Sequence, residues 1–498
     1  MASKELIKEK LSIRKKRQSL QSYFAEAFVD QEFTAKVEFI EHHLCHLASA
    51  YLVSPFDSSN IISVDGFGDF ASVALATGEG QNISVNKRIY FPHSLGIFYQ
   101  ALTQYLGFPH YGDEYKIMGL APYGEAKFRE QMDEIVIDLN DGSFELNLNY
   151  FVHHKNPIGY EWDNGSPKVS QLYSDKLEHL LGRARDKEAP IEQFHMDLAR
   201  SIQDKYERSF FHLINGLNRE FPNDNLSIAG GCGMNSVANG KVHLNSNYQN
   251  VYIQSAAGDA GGAIGAALIA NQDNSNSSER FAMTHSYWGS SFSDQECLDC
   301  IRLNQAELDR LGCQLISYDE WHELVDKVSS EIIEGKVIGW FQGSMEWGPR
   351  ALGNRSILGD PRRQDMKDIL NLKIKRRESF RPFAPSVLRS EVSNWFESEA
   401  DVPFMMKVFQ IRSDKRNQIP AVAHVDGSGR LQTVTKESNP KYHSLIECFF
   451  KKTNVPMLLN TSFNENEPVV CTPQQAMDCF LRTNMDILVL GNNVVVRS

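Results

Sequence analysis

Cysteine is scarce in this sequence, eight in 498 residues, scattered without any dense spacing pattern. That scarcity excludes the disulfide framework of a small secreted domain and fits a reducing cytoplasm. The one close pair, Cys297 and Cys300 in QECLDC, has Cys313 beyond it but no fourth ligand at the spacing of a structural zinc. These positions read as helix packing. Long apolar runs are missing too, and none reaches the length that spans a bilayer. The charged start MASKELIKEKLSIRKKRQ lacks the apolar core of a signal peptide and reads as a solvated amphipathic helix. Positive charge is also in deficit: 51 Lys and Arg stand against 63 Asp and Glu, a formal net charge of -12. Displacing counterions from nucleic acid takes a basic surface, so a constitutive nucleic-acid partner is not expected. The expectation is a cytoplasmic protein without a membrane or nucleic-acid partner; its oligomeric state is not written in these features.

With 42% hydrophobic and 23% charged residues the composition is that of an ordinary globular protein. A chain this long exceeds what one core organises, so two domains are expected. They are placed at 1–315 and 316–498, because a helix-rich connector follows the polar stretch NQDNSNSSERFAMT (271–284) and the texture changes at KVIGWFQGSMEWGPR (336–350).

What the first half does contain is histidine in an ordered pattern. EHHLCHLASAY (41–51) puts His42 and His46 four residues apart, on one face of a helix, with His43 pointing elsewhere. That spacing suits two imidazoles converging on one ion. Residues 37–50 read as a short strand running into this helix. NIISVDGFGD (60–69) is a β-branched strand ending at an Asp-Gly turn, with ASVALATGEG as its hairpin partner. The stretch at 94–122 reads as a helix followed by a glycine-bearing charged loop, residues 124–190 as an irregular peripheral layer, and 196–218 as a long amphipathic helix.

Two further segments share one grammar. LSIAGGCGMNSVANGKV (226–242) runs from a strand through glycines into a helix starting near Asn235, and VYIQSAAGDAGGAIGAALIA (251–270) repeats the pattern around Asp259. Glycines let a phosphate approach the backbone, and a helix start offers unpaired N–H groups. The pair reads as a nucleotide cleft. Asp65 and Asp259, both at strand-to-glycine turns, are candidates to complete a site with His42 and His46; the competing reading is that each only caps its turn. Two imidazoles and one or two carboxylates suit Fe(II), Zn(II) or Mn(II) with open positions.

The second half carries a different set. Arg350, Arg355, Lys375, Arg377, Arg381 and Arg430 stand beside proline and glycine in GPRALGNRS, IKRRESFRPFAP and DGSGRLQTV. Arginine forks match phosphate or carboxylate oxygens, and lysine adds a point charge. LLNTSFNENEPVV (458–470) ends a strand in hydroxyl and amide side chains fit to meet a polar ligand.

Taken in order, EHHLCHLASAY, FPHSLGIFYQALTQYLGF, DEYKIMGLAPYG, GGCGMNSVANGK, GDAGGAIGAAL, GSMEWGPRALGNRSILGDPR, IKRRESFRPFAPSV and NTSFNENEPVVCTP resemble the successive motifs of the NodU/CmcH family of O-carbamoyltransferases, from about residue 37 to the end. That family makes carbamate esters on nodulation factors, antibiotics and other secondary metabolites. The resemblance implies an α/β protein with an N-terminal actin/hexokinase-like (ASKHA) metal- and nucleotide-binding domain lacking its first strands, and a C-terminal YrdC-like domain. It implies that the C-terminal domain activates carbamoyl phosphate with Mg-ATP to carbamoyl-adenylate, and that the N-terminal domain transfers the carbamoyl group to a hydroxyl of a small-molecule acceptor beside an iron-type ion. Carried over residue by residue, His42, His46, Asp65 and Asp259 match the metal positions, and Gly230, Gly231 and Asn235 the nucleotide loop. Arg350, Lys375, Arg381, Arg430, Asn460 and Ser462 match the carbamoyl phosphate and ATP pocket. Asp65, Lys375 and Arg350 are the expected catalytic residues. The acceptor pocket is expected in the variable stretch 124–190.

One departure stands out. Members of the family open with a strand, a glycine turn and a His-Asp pair, and residues 1–36 hold no such segment. The expectation that follows is a short form in which activation survives and transfer is impaired. The alternative within the same fold is tRNA modification by threonylcarbamoyl transfer, which the acidic net charge disfavours.

Overall fold

The computed structural model describes residues 20–29, 31, 34–162, 165–274, 280–375, 378, 380–465 and 467–497. The amphipathic helix expected at 1–18 and the cation Arg377 lie outside these residues. The chain forms two compact units: Met1–Gly233 with Ser246–Tyr252 and Ala257–Phe281, and Met234–Asn245 with Ile253–Ala256 and Ala282–Ser498. Residues 282–315 therefore group with the second unit.

In the first unit, helix α1 (His42–Tyr51) leads into β1 (Ser58–Gly68), β2 (Ala71–Glu79) and β3 (Asn82–Tyr90). Among the described residues no strand precedes α1, contrary to expectation; residues 34–41 belong to no sheet. Glu41 instead serves as the N-cap, its carboxylate accepting from the N–H groups of His43 and Leu44 at 3.1 and 2.7 Å. A cap of this kind satisfies orphan helix donors and starts the helix at His42. Helices α2 (Leu95–Tyr105) and α3 (Gln193–Glu220) follow, then β4 (Asn225–Ala229), β5 (Asn250–Ile253) and α4 (Asp259–Asn274). The charged loop expected after α2 contains a further short helix, Glu114–Leu120. The sheet order is β3–β2–β1–β4–β5, with β1 antiparallel to β2 and parallel to β4.

β1 is buried over Ser59–Val64, and the alternation of its side chains sends Ile61 to one face and Ile62 and Val64 to the other. Ile61 packs with Leu47, Ala48, Tyr51 and Leu52 at α1, and Leu268 and Ile269 of α4 close over this cluster. The small-residue character of α4 has a packing cause. A Cβ on Gly265 would sit 1.8 Å from the Cys45 carbonyl oxygen, so the two helices touch backbone to backbone.

The second unit holds β6 (Gln314–Ser317), β7 (Ile338–Phe341), β8 (Arg355–Gly359), β9 (Ala384–Leu388), β10 (Lys407–Gln410) and β11 (Ser428–Val434), then α5 (Pro440–Thr453), β12 (Met457–Ser462), α6 (Pro473–Arg482), β13 (Ile487–Leu490) and β14 (Asn493–Val496). They form one mixed sheet in the order β6–β14–β13–β7–β8–β12–β9–β11–β10. β7 and β13 are buried along their whole length, which is why both read as continuous apolar runs. α5 starts at Asn439, whose side chain accepts from the Tyr442 N–H, with Pro440 in the first turn where its missing N–H costs nothing. Cys297 and Cys300 are buried in the helix Asp294–Leu303, as packing positions. Among the described residues no helix is long and apolar enough to cross a membrane. The architecture is mixed α/β in two units.

Candidate functional site

Four donor side chains meet where α1, the end of β1 and the start of α4 come together. His42, His46, Asp65 and Asp259 place their ligand atoms within 4.8 Å of one another. The Nε2 atoms of His42 and His46 are 3.0 Å apart, and Asp65 Oδ2 lies 3.1 and 3.0 Å from them. Asp259 Oδ1 completes the group at 3.7 Å from His42 and 3.4 Å from His46. The His46 side chain is 1% exposed and the Asp259 side chain 69%, so the cluster is closed at one end and open at the other. His43 does not join it. Its ring is buried, with Nδ1 2.9 Å from Ser63 Oγ.

Local structure explains each placement. One helical turn brings His42 and His46 into line. The register of β1 against β2 slips between Val64 and Gly68, which turns the chain just where Asp65 must face the histidines. Gly68 is required there: a Cβ would lie 2.0 Å from the His42 ring. Asp69, at φ 46°, accepts from the His42 N–H at 2.9 Å. The second Asp65 oxygen, Oδ1, accepts from the N–H groups of Gly66 and Gly231 at 2.7 and 3.3 Å. Gly230, at φ 88°, donates to the Ala257 carbonyl at 2.7 Å and presses against the Val64 carbonyl, where a Cβ would be 2.1 Å away. Asn235 caps the short helix Ser236–Gly240, accepting from the Ala238 N–H. The three expected nucleotide-loop residues thus spend these groups on the protein, and Gly231 spends its on Asp65.

The electrostatics follow from burial and proximity. Burial alone would lower the His46 pKa; the two carboxylates overcome it and hold the imidazole at about 9. Burial alone would raise the Asp65 carboxyl, and hydrogen bonds from His42 and His46 instead hold it well below the ordinary carboxylate range. Two nitrogens and two oxygens at this spacing fit Fe(II), Zn(II) or Mn(II), leaving positions open for a substrate oxygen. His46 Nδ1 is buried with no partner among the described residues, so packing orients that ring.

Two neighbours escaped the sequence reading. Burial, then the charges of Asp259 and Asp65, pushes the Tyr111 phenol up to about 12, which places Tyr111 in the field of the cluster. Burial, opposed by backbone N–H groups and joined by the Asp113 charge, raises the Glu114 carboxyl. Both lie in HYGDEYK, where the signal was the left-handed Gly112 beside a carboxylate: Asp113 accepts from the His110 N–H at 3.1 Å and pairs with Lys116 at 2.8 Å.

In the second unit the expected residues come from several elements. Lys375 is 2% exposed, and its Nζ donates to the carbonyls of Ser462 and Asn464, each at 2.7 Å, and to Asn464 Oδ1 at 2.6 Å. Asn460 Nδ2 donates to the Ala351 carbonyl and Ser386 Oγ at 3.1 and 2.9 Å, while its Oδ1 is buried with no partner among the described residues. Arg350 is half-buried, burial pushes its guanidinium down to about 10, and its Nε finds no partner among the described residues. Arg381 lies 3.6 Å from Glu378, and Arg430 stands on β11 opposite Val408. Ser462 Oγ donates to Asn464 Oδ1 at 2.7 Å. Arg355 is fully buried, donates to four backbone carbonyls including those of Gln342 and Ser290, and lies 3.6 Å from the centre of the Phe341 ring, while its Nε finds no partner among the described residues.

Residues 3–268 match the family described as Carbamoyltransferase N-terminus, and residues 329–497 that described as Carbamoyltransferase C-terminus. The chain is 42% identical over 491 residues to "Uncharacterized protein sll1178" of Synechocystis, covering 92% of this chain and 76% of that protein. It is 38% identical over 483 residues to "Nodulation protein NolNO" of Sinorhizobium fredii, covering 96% and 66%. Against the 3'-hydroxymethylcephem-O-carbamoyltransferase of Streptomyces clavuligerus it is 28% identical over 361 residues, covering 72% and 60%. A solved HypF structure from T. kodakarensis overlaps at 17% identity and a TM-score of 0.26, covering 51% of this chain and 38% of that one, too loosely to argue from.

Proposed function

The chain belongs to the carbamoyltransferase family of enzymes, and from that premise we propose that it is an ATP-dependent O-carbamoyltransferase acting on a hydroxyl of a small molecule. The observation that carries the reading is the convergence of His42, His46, Asp65 and Asp259 in a chain of this family. In the first step water releases phosphate from carbamoyl phosphate and leaves carbamate, whose oxygen then attacks the α-phosphate of ATP; the bond to the β-phosphate breaks, pyrophosphate leaves, and carbamoyl-adenylate forms. Two polyanions repel in one pocket, so fixed cations must neutralise them together. Arg350, Lys375, Arg381 and Arg430 would supply that charge, and the buried Asn460 Oδ1, unpartnered among the described residues, and the Ser462 hydroxyl would orient the substrates. In the second step the acceptor oxygen attacks the carbamoyl carbon, the bond to the adenylate oxygen breaks, AMP leaves, and the hydroxyl proton passes to a base.

Bound at the cluster, an Fe(II)-type ion would act as a Lewis acid toward the carbonyl or phosphate oxygens of the adenylate. His42 and His46 would hold it from α1, Asp65 from β1 and Asp259 from α4. Gly66 and Gly231 fix the Asp65 carboxylate by its other oxygen. The finer assignments, actin/hexokinase-like for the first unit and YrdC-like for the second, belong to the same proposal. They draw on the five-stranded mixed sheet with α1 and α4 on it, and on the nine-stranded mixed sheet.

The test is isotope exchange between pyrophosphate and ATP with and without carbamoyl phosphate. Exchange that depends on carbamoyl phosphate is expected. Exchange independent of it, or none, would remove the activation step from the account.

A further inference from the structure

β7 and β8 are antiparallel neighbours, with Phe341 opposite Arg355. A tight turn could join them, yet the chain takes residues 342–354 to do so. Irregular loops of this length are uncommon in compact domains and usually carry function. Beyond the strand ends, the polar groups of such a loop need partners of their own. Glu346 supplies the partner for three of them. Its Oε1 accepts from the N–H groups of Leu352, Asn354 and Arg355 at 2.7, 2.8 and 3.2 Å, and the residue is only 6% exposed. The carbonyls of the same turn are taken as well. Ala351 accepts from Asn460 Nδ2 at 3.1 Å, and Leu352 from Gln432 Nε2 and the Tyr287 hydroxyl, each at 2.8 Å. Gly353 accepts from Trp340 Nε1 at 2.9 Å. Between Glu346 and this turn stands Arg350, whose Nε has no partner among the described residues.

We infer that Glu346 is a positioning residue, which holds the turn 350–355 so that Arg350 reaches an oxyanion bound in the second unit. A carboxylate is costly to bury, and three amide donors on one of its oxygens offset that cost. Fixing the N–H groups of Leu352, Asn354 and Arg355 also fixes where the Arg350 side chain starts. A guanidinium on a fixed backbone loses less freedom when it grips an anion than one on a loose loop. A misplacement of about 1 Å at such a contact is felt strongly. Glu346 Oε1 is occupied by N–H groups, so its influence on the anion runs through Arg350. That the anion is carbamoyl phosphate or ATP rests on the proposed function; the bracing of Arg350 does not.

The experiment is calorimetric titration of the full chain with inorganic tripolyphosphate, beside amide hydrogen exchange of peptides covering 350–356. Glu346→Leu, Glu346→Gln, Arg350→Ala and the double variant Glu346→Leu/Arg350→Ala are compared with wild type. Arg350→Ala should weaken tripolyphosphate by about 10–100-fold, the worth of one charged hydrogen bond. Glu346→Leu should weaken it about ten-fold. The double variant should match Arg350→Ala within about two-fold, because the two residues act as one unit. Glu346→Gln keeps an acceptor oxygen and should stay within about three-fold of wild type. Hydrogen exchange should quicken in Glu346→Leu and not in Arg350→Ala. Should Glu346→Leu not fold, Glu346→Asp, too short to reach all three donors, takes its place alone and in the double variant. Wild-type affinity in the folded Leu or Asp variant, losses that multiply in the double variant, equal losses for Gln and Leu, or no tripolyphosphate binding by wild type would overturn the inference. Pyrophosphate exchange on the wild-type chain reports separately on activation, so either reading can fail alone.

Discussion

The two units present ionic groups in opposite states. In the first, four ligand atoms of both charge types crowd within 4.8 Å with Asp259 open to solvent. In the second, the expected cations are spread over separate strands and turns, and the buried Lys375 is already held by the Ser462–Asn464 segment. In a crowded cluster of this kind both imidazole Nε2 atoms turn to one Asp65 oxygen while facing each other at 3.0 Å, so they compete for a single acceptor. A cation at the centre resolves that conflict. Lys375 is the reverse case, a charge whose local demand is met, so its removal should be felt in folding as well as in binding. The comparison teaches that a charged motif alone does not separate a ligand site from a structural anchor; the partners do.

The largest effect should come from emptying the crowded site. His46→Ala should bring metal retained by the purified chain, measured by plasma mass spectrometry, down to background and stop carbamate ester formation. Carbamoyl-phosphate-dependent pyrophosphate exchange should stay within a few-fold, because the ion is assigned to the adenylate after it has formed. Full metal content in a folded His46→Ala protein would break the contrast between the units.

Next come the cations. Arg350→Ala should lower pyrophosphate exchange by roughly 10²–10³-fold, the cost of one charged contact to a confined anion. Its Nε has no partner among the described residues, so the melting temperature should hardly move. Lys375→Ala should lose a similar factor and also destabilise the chain, since it strips a donor from buried acceptors at a cost of about 1–3 kcal/mol for each one left unpaired. Equal melting of the two variants would mean that the anchoring role of Lys375 is misjudged.

A smaller effect belongs to Gly68. Gly68→Ala puts a methyl where the His42 ring stands, so the ring must shift. Displacing one ligand without deleting it should weaken metal binding by about 10–100-fold, in the range seen when groups that orient ligands are lost. A competition titration with a chelator measures this, and unchanged affinity would show that His42 is dispensable to the site.

Much of the first site was legible because helix and strand periodicities are local. His42 and His46 needed only a four-residue spacing, and Asp65 and Asp259 only a strand end. What stayed hidden was long-range. The glycines at 230–231 and 261–265 read as a phosphate cradle, yet Gly231 braces Asp65 and Gly265 lets α4 touch α1. Neither contact has a local signature. Arg355 looked the equal of Arg350 in GPRALGNRS, and only the fold turns one inward onto backbone carbonyls. The strand expected before α1 failed because Glu41 caps the helix, and a cap competes with extended pairing for the same residue.

The finest comparison sets a buried histidine of the first unit against a half-buried one of the second. His153 packs against Phe67, Phe91 and Phe151, and burial holds its imidazole at about 4. His424 lies 3.0 Å from Ser428 Oγ, and burial, partly opposed by Asp426 and reinforced by Arg430 and Lys367, pushes it down as well. Each is neutral in the folded chain and protonates near 6.5 once unfolded. The unfolded state then binds more protons below that value, so the contribution of each to stability is full above about pH 6.5 and is lost as pH falls toward the folded pKa. For His153 the loss amounts to at most on the order of 3 kcal/mol across that window. His153→Phe should flatten this acid slope in the first unit, at the price of a lower plateau because the Pro92 carbonyl loses its donor. His424→Gln should flatten it in the second. Hydrogen exchange of peptides from β1 and β11, followed between pH 7.5 and 4.5, reads the two units apart. If His153→Phe changes the slope in β11 as much as in β1, the units do not open independently, and the separation of metal cluster from cation pocket loses its structural basis.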